Sequence, residues 1–301
     1  MVRSPEERAG VADVDLSDRT VLVTGATDGI GRETALALGR LGAAVLVHGR
    51  DPGKGEAVVA DLDRTAAADA AFVAADYTSL DAVRDLADEA RAYGVDVLVN
   101  NAGAYFPDGA LTDAGVERTF AVNHLAPFLL TNLLVPSMPA DGRVVTVASA
   151  VHHRAELDLS AAGSVDDYDG LAAYRHSKLA NVLFTRELAR RIDQPANCLH
   201  PGFVPGSAIW RSASWRVALF VGLVDRLPRA LAGRIAETVP GAATTSVYLA
   251  AAPAAGEVTG RYFVDCEPAD PAPQARDDAA AGRLWAWSAR VAAVEPVGDD
   301  P

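Results

Sequence analysis

The sequence predicts an α/β fold in which helices cover both faces of a parallel sheet. Short apolar runs rich in β-branched residues alternate with longer amphipathic stretches along most of the chain, which is the pattern of repeated βαβ units. The first of these runs leads into a glycine-rich turn that opens a helix. With 301 residues, of which 50% are hydrophobic, the chain can bury a core of the required size. We therefore expect a single doubly wound Rossmann-type domain with a seven-stranded parallel sheet.

The first strand, turn and helix span residues 20–42. Residues 20–24 suit a strand buried on both faces, and the helix formers from Arg32 onward end at Gly42. Glycines let the backbone approach a ligand, and the free amides of a helix start attract an anion, so the turn predicts a pyrophosphate site. Its spacing, G-x-x-x-G-x-G, differs from the usual G-x-G-x-x-G fingerprint, and a turn that binds nothing is the alternative. The residues placed at this turn are Gly25, Thr27, Asp28, Gly29, Ile30 and Gly31.

The second predicted strand, residues 44–48, ends beside Gly49 and Arg50. In a doubly wound sheet this tip faces the ribose of the adenosine half of a dinucleotide. Arg50 suits a 2′-phosphate and Gly49 leaves the usual carboxylate position empty, so we expect NADP(H) to be preferred over NAD(H). The charges of Asp28 and Asp51 oppose this preference, and a solvated loop charge is the alternative role for Arg50.

The third and fourth predicted strands, residues 71–75 and 95–99, also end in polar residues. Asp76 can accept a hydrogen bond from the adenine amino group or cap the next turn. After the fourth strand, an asparagine can tie neighbouring strands together while a glycine lets a cofactor pass close by. The residues placed there are Asn101, Ala102 and Gly103.

A long helix is predicted over residues 112–135, followed by a fifth strand over residues 143–149. The helix carries Asn123 in an apolar context, where a buried amide must find a water or backbone partner. The strand ends with the hydroxyl of Ser149.

Tyr174 and Lys178 stand four residues apart in the next predicted helix. At that spacing the phenol and the ammonium project from one helix face toward a common ligand, although a surface pair is the alternative. A sixth strand, residues 196–200, is then broken by Pro201 and Gly202.

Residues 203–240 have no place in the strand–helix alternation and are rich in Trp and Leu, so we expect a helical lid over an apolar pocket. A seventh strand is predicted over residues 261–264. The domain is expected to span residues 16–293, between a flexible N-terminal tail (1–15) and an acidic tail (294–301).

The composition limits the partners of the protein. The net charge is -13 and no basic stripe is present, which excludes nucleic acid as an expected partner. The acidity suits either a high-salt cytosol or an ordinary acidic protein. The first fifteen residues lack the apolar core of a signal peptide, and the most apolar run, residues 217–224, is too short to span a membrane. We expect a cytoplasmic protein, and the sequence leaves its oligomeric state open.

No metal site is expected. His152 and His153 have no third ligand nearby in the sequence, and Cys198 and Cys266 lack metal-ligand spacing. Both cysteines are expected to be small buried residues.

Taken in order, these motifs strongly resemble the short-chain dehydrogenase/reductase family. The resemblance rests on the T-G-x-x-x-G-x-G turn, the N-N-A-G strand end, the Y-x-x-x-K pair and the P-G turn. A narrower likeness, carried by G-R-D followed by K-G, by H-S-K-L-A-N, by H-P-G and by G-R-Y-F-V-D-C, is to the retinol-dehydrogenase-like branch. That branch usually acts with NADP(H) on lipophilic alcohols and carbonyls.

The resemblance implies a role for each matching residue. Tyr174 would be the general acid or base, and Lys178 would lower its pKa and hold the nicotinamide ribose. Ser149 would bind the substrate oxygen, while Asn123 would hold the water of a proton relay. The family commonly has a threonine after the P-G turn, and this chain has Gly206 and Ser207 in that region.

Two other functions fit the same fold. One is an NAD-dependent sugar or polyol dehydrogenase, which the apolar lid argues against. The other is a nucleotide-sensing protein that binds cofactor without turnover, which the intact set of catalytic residues argues against.

Overall fold

The structure, a computed structural model, describes residues 3–65, 69–204 and 237–298. Most of the predicted lid lies outside these residues. The strands are β1 (Thr20–Val23), β2 (Ala44–Gly49), β3 (Ala70–Ala74), β4 (Val97–Asn100), β5 (Arg143–Val147), β6 (Ala196–His200), β7 (Tyr262–Val264) and β8 (Glu267–Ala269). The helices are α1 (Pro5–Arg8), α2 (Gly29–Arg40), α3 (Pro52–Thr65), α4 (Leu80–Ala92), α5 (Arg118–Phe120), α6 (Ala126–Leu134), α7 (Gly170–Leu188), α8 (Val239–Ala251) and α9 (Asp278–Ala292).

The strands form one sheet in the order β3-β2-β1-β4-β5-β6-β7-β8. The first seven pair in parallel, so the predicted Rossmann-like architecture is confirmed. Alternate side chains of β1 enter different cores: Leu22 joins the core on one face, whereas Val21 and Val23 join the core on the other. Because both faces of the sheet are covered, the strands are continuous apolar runs in the sequence.

The predicted number of strands, seven, is wrong because a short hairpin adds an eighth. β8 pairs antiparallel with β7 across a turn in which Asp265 and Cys266 both have positive φ, 50° and 65°. Hairpin turns with two positive φ angles usually contain an Asn-Gly or Asp-Gly pair. This turn has no glycine, and the sequence therefore gave no hairpin signal.

The predicted helix over residues 112–135 begins later than expected. The main-chain N–H of Thr112 donates to the carbonyl of Val116 at 2.8 Å, which closes a turn in place of the first predicted helical residues. The helix starts at Arg118, where the carboxylate of Glu117 accepts hydrogen bonds from the next free amides. Capping thus sets the helix start.

The predicted N-terminal tail packs against the domain. The carboxylate of Glu6 accepts two hydrogen bonds from Arg40 on α2, at 2.7 and 2.9 Å. Val11 is buried in the core that covers one face of the sheet.

One described helical stretch, Arg118–Ser137, is long and apolar enough by length and composition to cross a membrane, with a mean hydropathy of 1.2. Of its 18-residue apolar window, 89% is buried within the protein, as in the core helix of a globular protein. The expectation that no segment spans a membrane therefore stays a prediction.

Acid should destabilise this fold because several histidines are buried as neutral rings. Burial lowers the pKa of His48, His152 and His176 to about 4 each, and that of His124 to about 3. An unfolded chain takes up these protons near pH 6.5, whereas the native protein does so only near pH 4, so stability falls as pH drops through this interval. We expect each ring to cost roughly 1.4 kcal/mol of unfolding free energy per pH unit there.

Urea unfolding between pH 6 and pH 4.5 measures this loss. His176→Gln keeps an acceptor for the main-chain N–H of Asp158 and cannot titrate. As pH falls, its unfolding free energy should therefore decrease less steeply than that of the wild type, by a difference in slope that corresponds to about one proton. An unchanged slope would show that His176 is not neutral in the native protein.

Candidate active site

A cleft of about 640 Å³ lies at the carboxyl ends of the strands, where the strand order reverses between β1 and β4. The structure brings together at this cleft every residue that the sequence assigns to cofactor binding: Gly25, Thr27, Asp28, Gly29, Ile30, Gly31, Arg50, Asp76, Asn101, Ala102, Gly103, Tyr174, Lys178, Pro201 and Gly202. Ser149 lines it as well. Asn123 lies behind the wall of the cleft, hydrogen-bonded to Ala104.

Two of the three glycines in the turn, Gly25 and Gly31, have no room for a side chain. Gly25 has a φ of 64°, and a Cβ there would lie 2.8 Å from the Cα of Ala102. A Cβ on Gly31 would collide with the carbonyl of Gly25 and the amide nitrogen of Asn101. Asn101 also donates to the carbonyl of Thr24 at 2.8 Å, so it joins the ends of β4 and β1 beneath the turn.

His48 supports the same turn and was not expected from the sequence. Its Nδ1 accepts the N–H of Gly25 at 3.3 Å, while Nε2 lies 3.2 Å from the carbonyl of Ala75 and donates to it. The ring stacks on Tyr77 with 4.7 Å between centroids. These bonds require a neutral ring, in keeping with a pKa that burial lowers to about 4. The sequence feature that could have indicated this role is the presence of a polar residue within the otherwise apolar second strand.

The tip of β2 is shaped by its neighbours. A Cβ on Gly49 would collide with the side chain of Thr27, so a carboxylate at this position would have to displace Thr27. Arg50 is 67% exposed, and its Nη1 lies 4.0 Å from Oδ2 of Asp76. Lys54, in the first turn of α3, also lines the cleft beside Arg50 and was not assigned from the sequence.

Asp76 caps the turn that follows it, which is one of the two roles predicted from the sequence. Its Oδ1 accepts hydrogen bonds from the main-chain N–H and the hydroxyl of Thr78, both at 2.9 Å.

Asn123 lies in a π-helical turn, Ala121–Leu125, between α5 and α6 and is fully buried. Its Oδ1 accepts the N–H of Ala104 at 2.7 Å, and its Nδ2 donates to the carbonyl of Ala104 and to the hydroxyl of Ser177, both at 2.9 Å. The amide is therefore satisfied by backbone and side-chain groups, and it fixes the loop after β4 against α7.

Tyr174 and Lys178 lie on one face of α7 and are buried at the cleft. The ammonium of Lys178 donates to the carbonyl of Val147 at 2.9 Å and lies 5.7 Å from the centroid of the Tyr174 ring. Burial lowers the pKa of Lys178 to about 8 and raises the pKa of Tyr174 above its usual value. Burial thus favours the uncharged form of both groups.

Ser149 follows β5 and caps a short 3₁₀ helix, Ala150–Arg154. Its half-buried hydroxyl accepts the N–H of Val151 at 3.5 Å and borders the cleft. The main chain leaves the neighbouring strand β6 through Pro201 and Gly202, which also line the cleft, and Gly202 has a φ of 85°. The predicted positions Gly206 and Ser207 lie outside the described residues.

The residues present fit a dinucleotide. The glycine cradle allows close backbone approach, the N-terminus of α2 offers free amides to a pyrophosphate, and the tyrosine and lysine lie farther along the same cleft. A doubly wound sheet with these groups at its switch point is typical of nucleotide-dependent oxidoreductases.

Comparisons with known proteins agree with this class. The family model described as short chain dehydrogenase matches residues 19–216. A polyprenol dehydrogenase of Mus musculus is 39% identical, over 91% of this chain and 83% of the mouse protein. Retinol dehydrogenase 14 of Homo sapiens is 36% identical, over 89% of this chain and 84% of the human protein.

Among solved structures, a putative uncharacterized protein from Mycobacterium Paratuberculosis superposes with a TM-score of 0.74 at 32% identity, over 94% of this chain and 97% of that one. This chain belongs to the short-chain dehydrogenase/reductase family, in its retinol-dehydrogenase-like branch. It is an NAD(P)-dependent oxidoreductase of CH–OH and C=O groups.

Proposed function

We propose that the protein transfers a hydride between NADP(H) and a lipophilic alcohol or carbonyl compound, with Tyr174 as general acid or base. The observation that carries the proposal is the convergence of Tyr174, Lys178 and Ser149 on the cleft that also contains the glycine turn. A proton donor, a cation and a second hydroxyl thus border one space beside the dinucleotide site.

Each of these residues has a separate task. Tyr174 gives its phenolic proton to the substrate oxygen during reduction and removes it during oxidation. Ser149 donates a hydrogen bond to the same oxygen, and Lys178 holds the nicotinamide ribose. When bound, the nicotinamide supplies or accepts the hydride. Asn123 holds the main chain at Ala104 in place, and we propose that it also supports the proton relay behind Lys178.

The walls of the cleft support a lipophilic substrate. The residues that line the cleft include Ala104, Phe106, Val122, Val151 and Val204. These apolar side chains offer a sugar no hydrogen-bonding partners. Two relatives are named as dehydrogenases of a polyprenol and of retinol.

A spectrophotometric assay tests the proposal. Lipophilic aldehydes and ketones, sugars and polyols are each supplied with NADPH or NADH, and the absorbance of the reduced nicotinamide is followed. Turnover of the lipophilic carbonyls with NADPH is expected. Turnover confined to sugars would favour the polyol dehydrogenase, and tight cofactor binding without turnover on the whole panel would favour the nucleotide sensor.

The preference for NADP(H) is proposed to depend on Arg50. A charge-assisted contact with a 2′-phosphate is typically worth about 1.5–3 kcal/mol, or roughly ten- to a hundredfold in preference. Lys54 adds a second positive charge at the cleft, and the nearby carboxylate of Asp76 opposes both. We expect Arg50→Asp to invert the ratio of kcat/KM for the two cofactors, mainly by lowering the value for NADP(H).

A matched control is Arg64→Asp. Arg64 is 68% exposed, against 67% for Arg50, but lies at the far end of α3 and does not line the cleft. The control makes the same charge change and should leave the ratio unaltered. A wild type that prefers NAD(H), or an equal effect of the two substitutions, would make Arg50 a surface charge only.

We also propose a cytoplasmic location, which measurement of the protein in cell fractions can test.

A further inference from the structure

His152 joins the active-site loop to a distant part of the chain. It lies on the 3₁₀ helix that follows Ser149 and is fully buried. Its Nδ1 is 2.6 Å from the carbonyl oxygen of Ser149, and its Nε2 is 3.0 Å from the main-chain nitrogen of Ala272. Because a carbonyl can only accept and an N–H can only donate, these contacts fix the neutral ring with its proton on Nδ1.

The distant partner is a C-terminal turn, which we define as residues 272–276. It comprises Ala272 and the 3₁₀ helix Pro273–Arg276, and Ala272 itself is fully buried. The side-chain amide of Gln274 donates to the carbonyls of His152, His153 and Ala155, at 3.3, 3.4 and 2.8 Å. The C-terminal turn is therefore held against the loop after Ser149 by several bonds.

The main chain on either side of Ser149 is anchored to β6. The N–H of Ala148 donates to the carbonyl of Leu199 at 2.8 Å, and the N–H of Ala150 donates to Nδ1 of His200 at 3.3 Å. The carbonyl of Ser149, in contrast, is held by His152, through the ring and through the main-chain N–H at 3.2 Å. The His152 imidazole thus holds the carbonyl end of this peptide unit, while His200 holds its N–H end.

We propose that His152 is a positioning residue, which fixes the peptide unit of Ser149 against the C-terminal turn and so keeps the serine hydroxyl directed at the substrate oxygen. The inference rests on the proposed function, because it is the role of Ser149 there that makes its orientation matter. His152 borders neither the substrate nor the cofactor site and acts through Ser149 alone.

Two substitutions of His152 separate the bond to Ser149 from the bond to Ala272. In His152→Asn the side-chain amide nitrogen is as many bonds from Cα as Nδ1, so it keeps the donor to Ser149. His152→Phe keeps an aromatic ring at this position and loses both bonds. Displacing a reacting group by about 1 Å costs on the order of a hundredfold in rate, so we expect kcat to fall about ten- to a hundredfold in the Phe variant and much less in the Asn variant. His153→Phe, at the exposed neighbour, is the matched control and should leave kcat near the wild-type value.

A double-mutant cycle with Ser149→Ala tests whether His152 acts through the serine. Cofactor-binding stoichiometry gives the amount of folded enzyme to which kcat is normalised. In the Ser149→Ala background, His152→Phe should lower kcat less than about twofold further. If the Phe variant does not fold, His152→Gln replaces it, since glutamine reaches the acceptor position toward Ala272 and lacks the donor to Ser149.

Losses that multiply in the double variant, or equal losses in the Asn and Phe variants, would overturn the positioning role. These outcomes leave the proposed function standing as long as Ser149→Ala and Tyr174→Phe are themselves impaired. If those two variants kept wild-type turnover, the proposed function would fail instead.

Discussion

Tyr174→Phe should abolish nearly all turnover while leaving cofactor binding almost unchanged. The ring and its packing remain, including the edge-on packing of Tyr105 at 6.3 Å between centroids, and the hydroxyl with its transferable proton is lost. General acid–base catalysis typically contributes about 10²–10⁴-fold, so kcat should fall within this range. Steady-state rates and a cofactor titration by fluorescence measure the two quantities separately.

Tyr105→Phe is the matched control for this prediction. It removes the same hydroxyl from the neighbouring ring, which does not line the cleft. Its turnover should stay within a few-fold of the wild type. If Tyr174→Phe kept more than roughly a tenth of wild-type turnover, Tyr174 would not be the general acid or base.

The sequence predicted the parallel sheet well because local patterns determine it. The strands of the core are buried on both faces, so each appears as an apolar β-branched run whose neighbours are helices. The eighth strand was missed for the opposite reason. Its turn contains two non-glycine residues with positive φ, Asp265 and Cys266, and these residue types do not predict that conformation.

The site divides in the same way. Gly25, Tyr174 and Lys178 belong to motifs whose spacing alone places them on one turn or one helix face. His48 and His152, in contrast, act through partners that are far away in the sequence, as the 120 positions between His152 and Ala272 illustrate. Such contacts depend on which segments become neighbours in the fold, and a local sequence pattern does not predict them.

Lys178 is predicted to lower the pKa of Tyr174 and to hold the nicotinamide ribose, and the geometry of the site bears differently on these two effects. Burial raises the pKa of Tyr174, which opposes the lowering expected from a nearby cation. At 5.7 Å from the ring centroid, the ammonium is close enough to attract a phenolate when Tyr174 loses its proton. Holding the ribose requires only that the ammonium stay charged in the cleft, and that condition can be measured through pH.

Lys178→Met should therefore impair cofactor binding as well as turnover. Methionine fills a similar volume in this buried position and removes the charge. Losing a hydrogen bond from a charged group costs about 1.5–3 kcal/mol, or roughly ten- to a hundredfold in Kd for the cofactor. Because burial lowers the pKa of Lys178 to about 8, wild-type cofactor affinity should weaken as pH rises above that value.

Fluorescence titrations of the cofactor from pH 7 to pH 9.5 measure this loss of affinity. The Met variant, which has no ammonium to titrate, should show a Kd that is already weak and does not change over the same range. Tyr174→Phe keeps Lys178 and should show the wild-type dependence, which separates the lysine from the phenol as its source. A wild-type Kd that stays constant through pH 8 to 9.5, or a Met variant that binds cofactor as tightly as wild type, would remove Lys178 from cofactor binding.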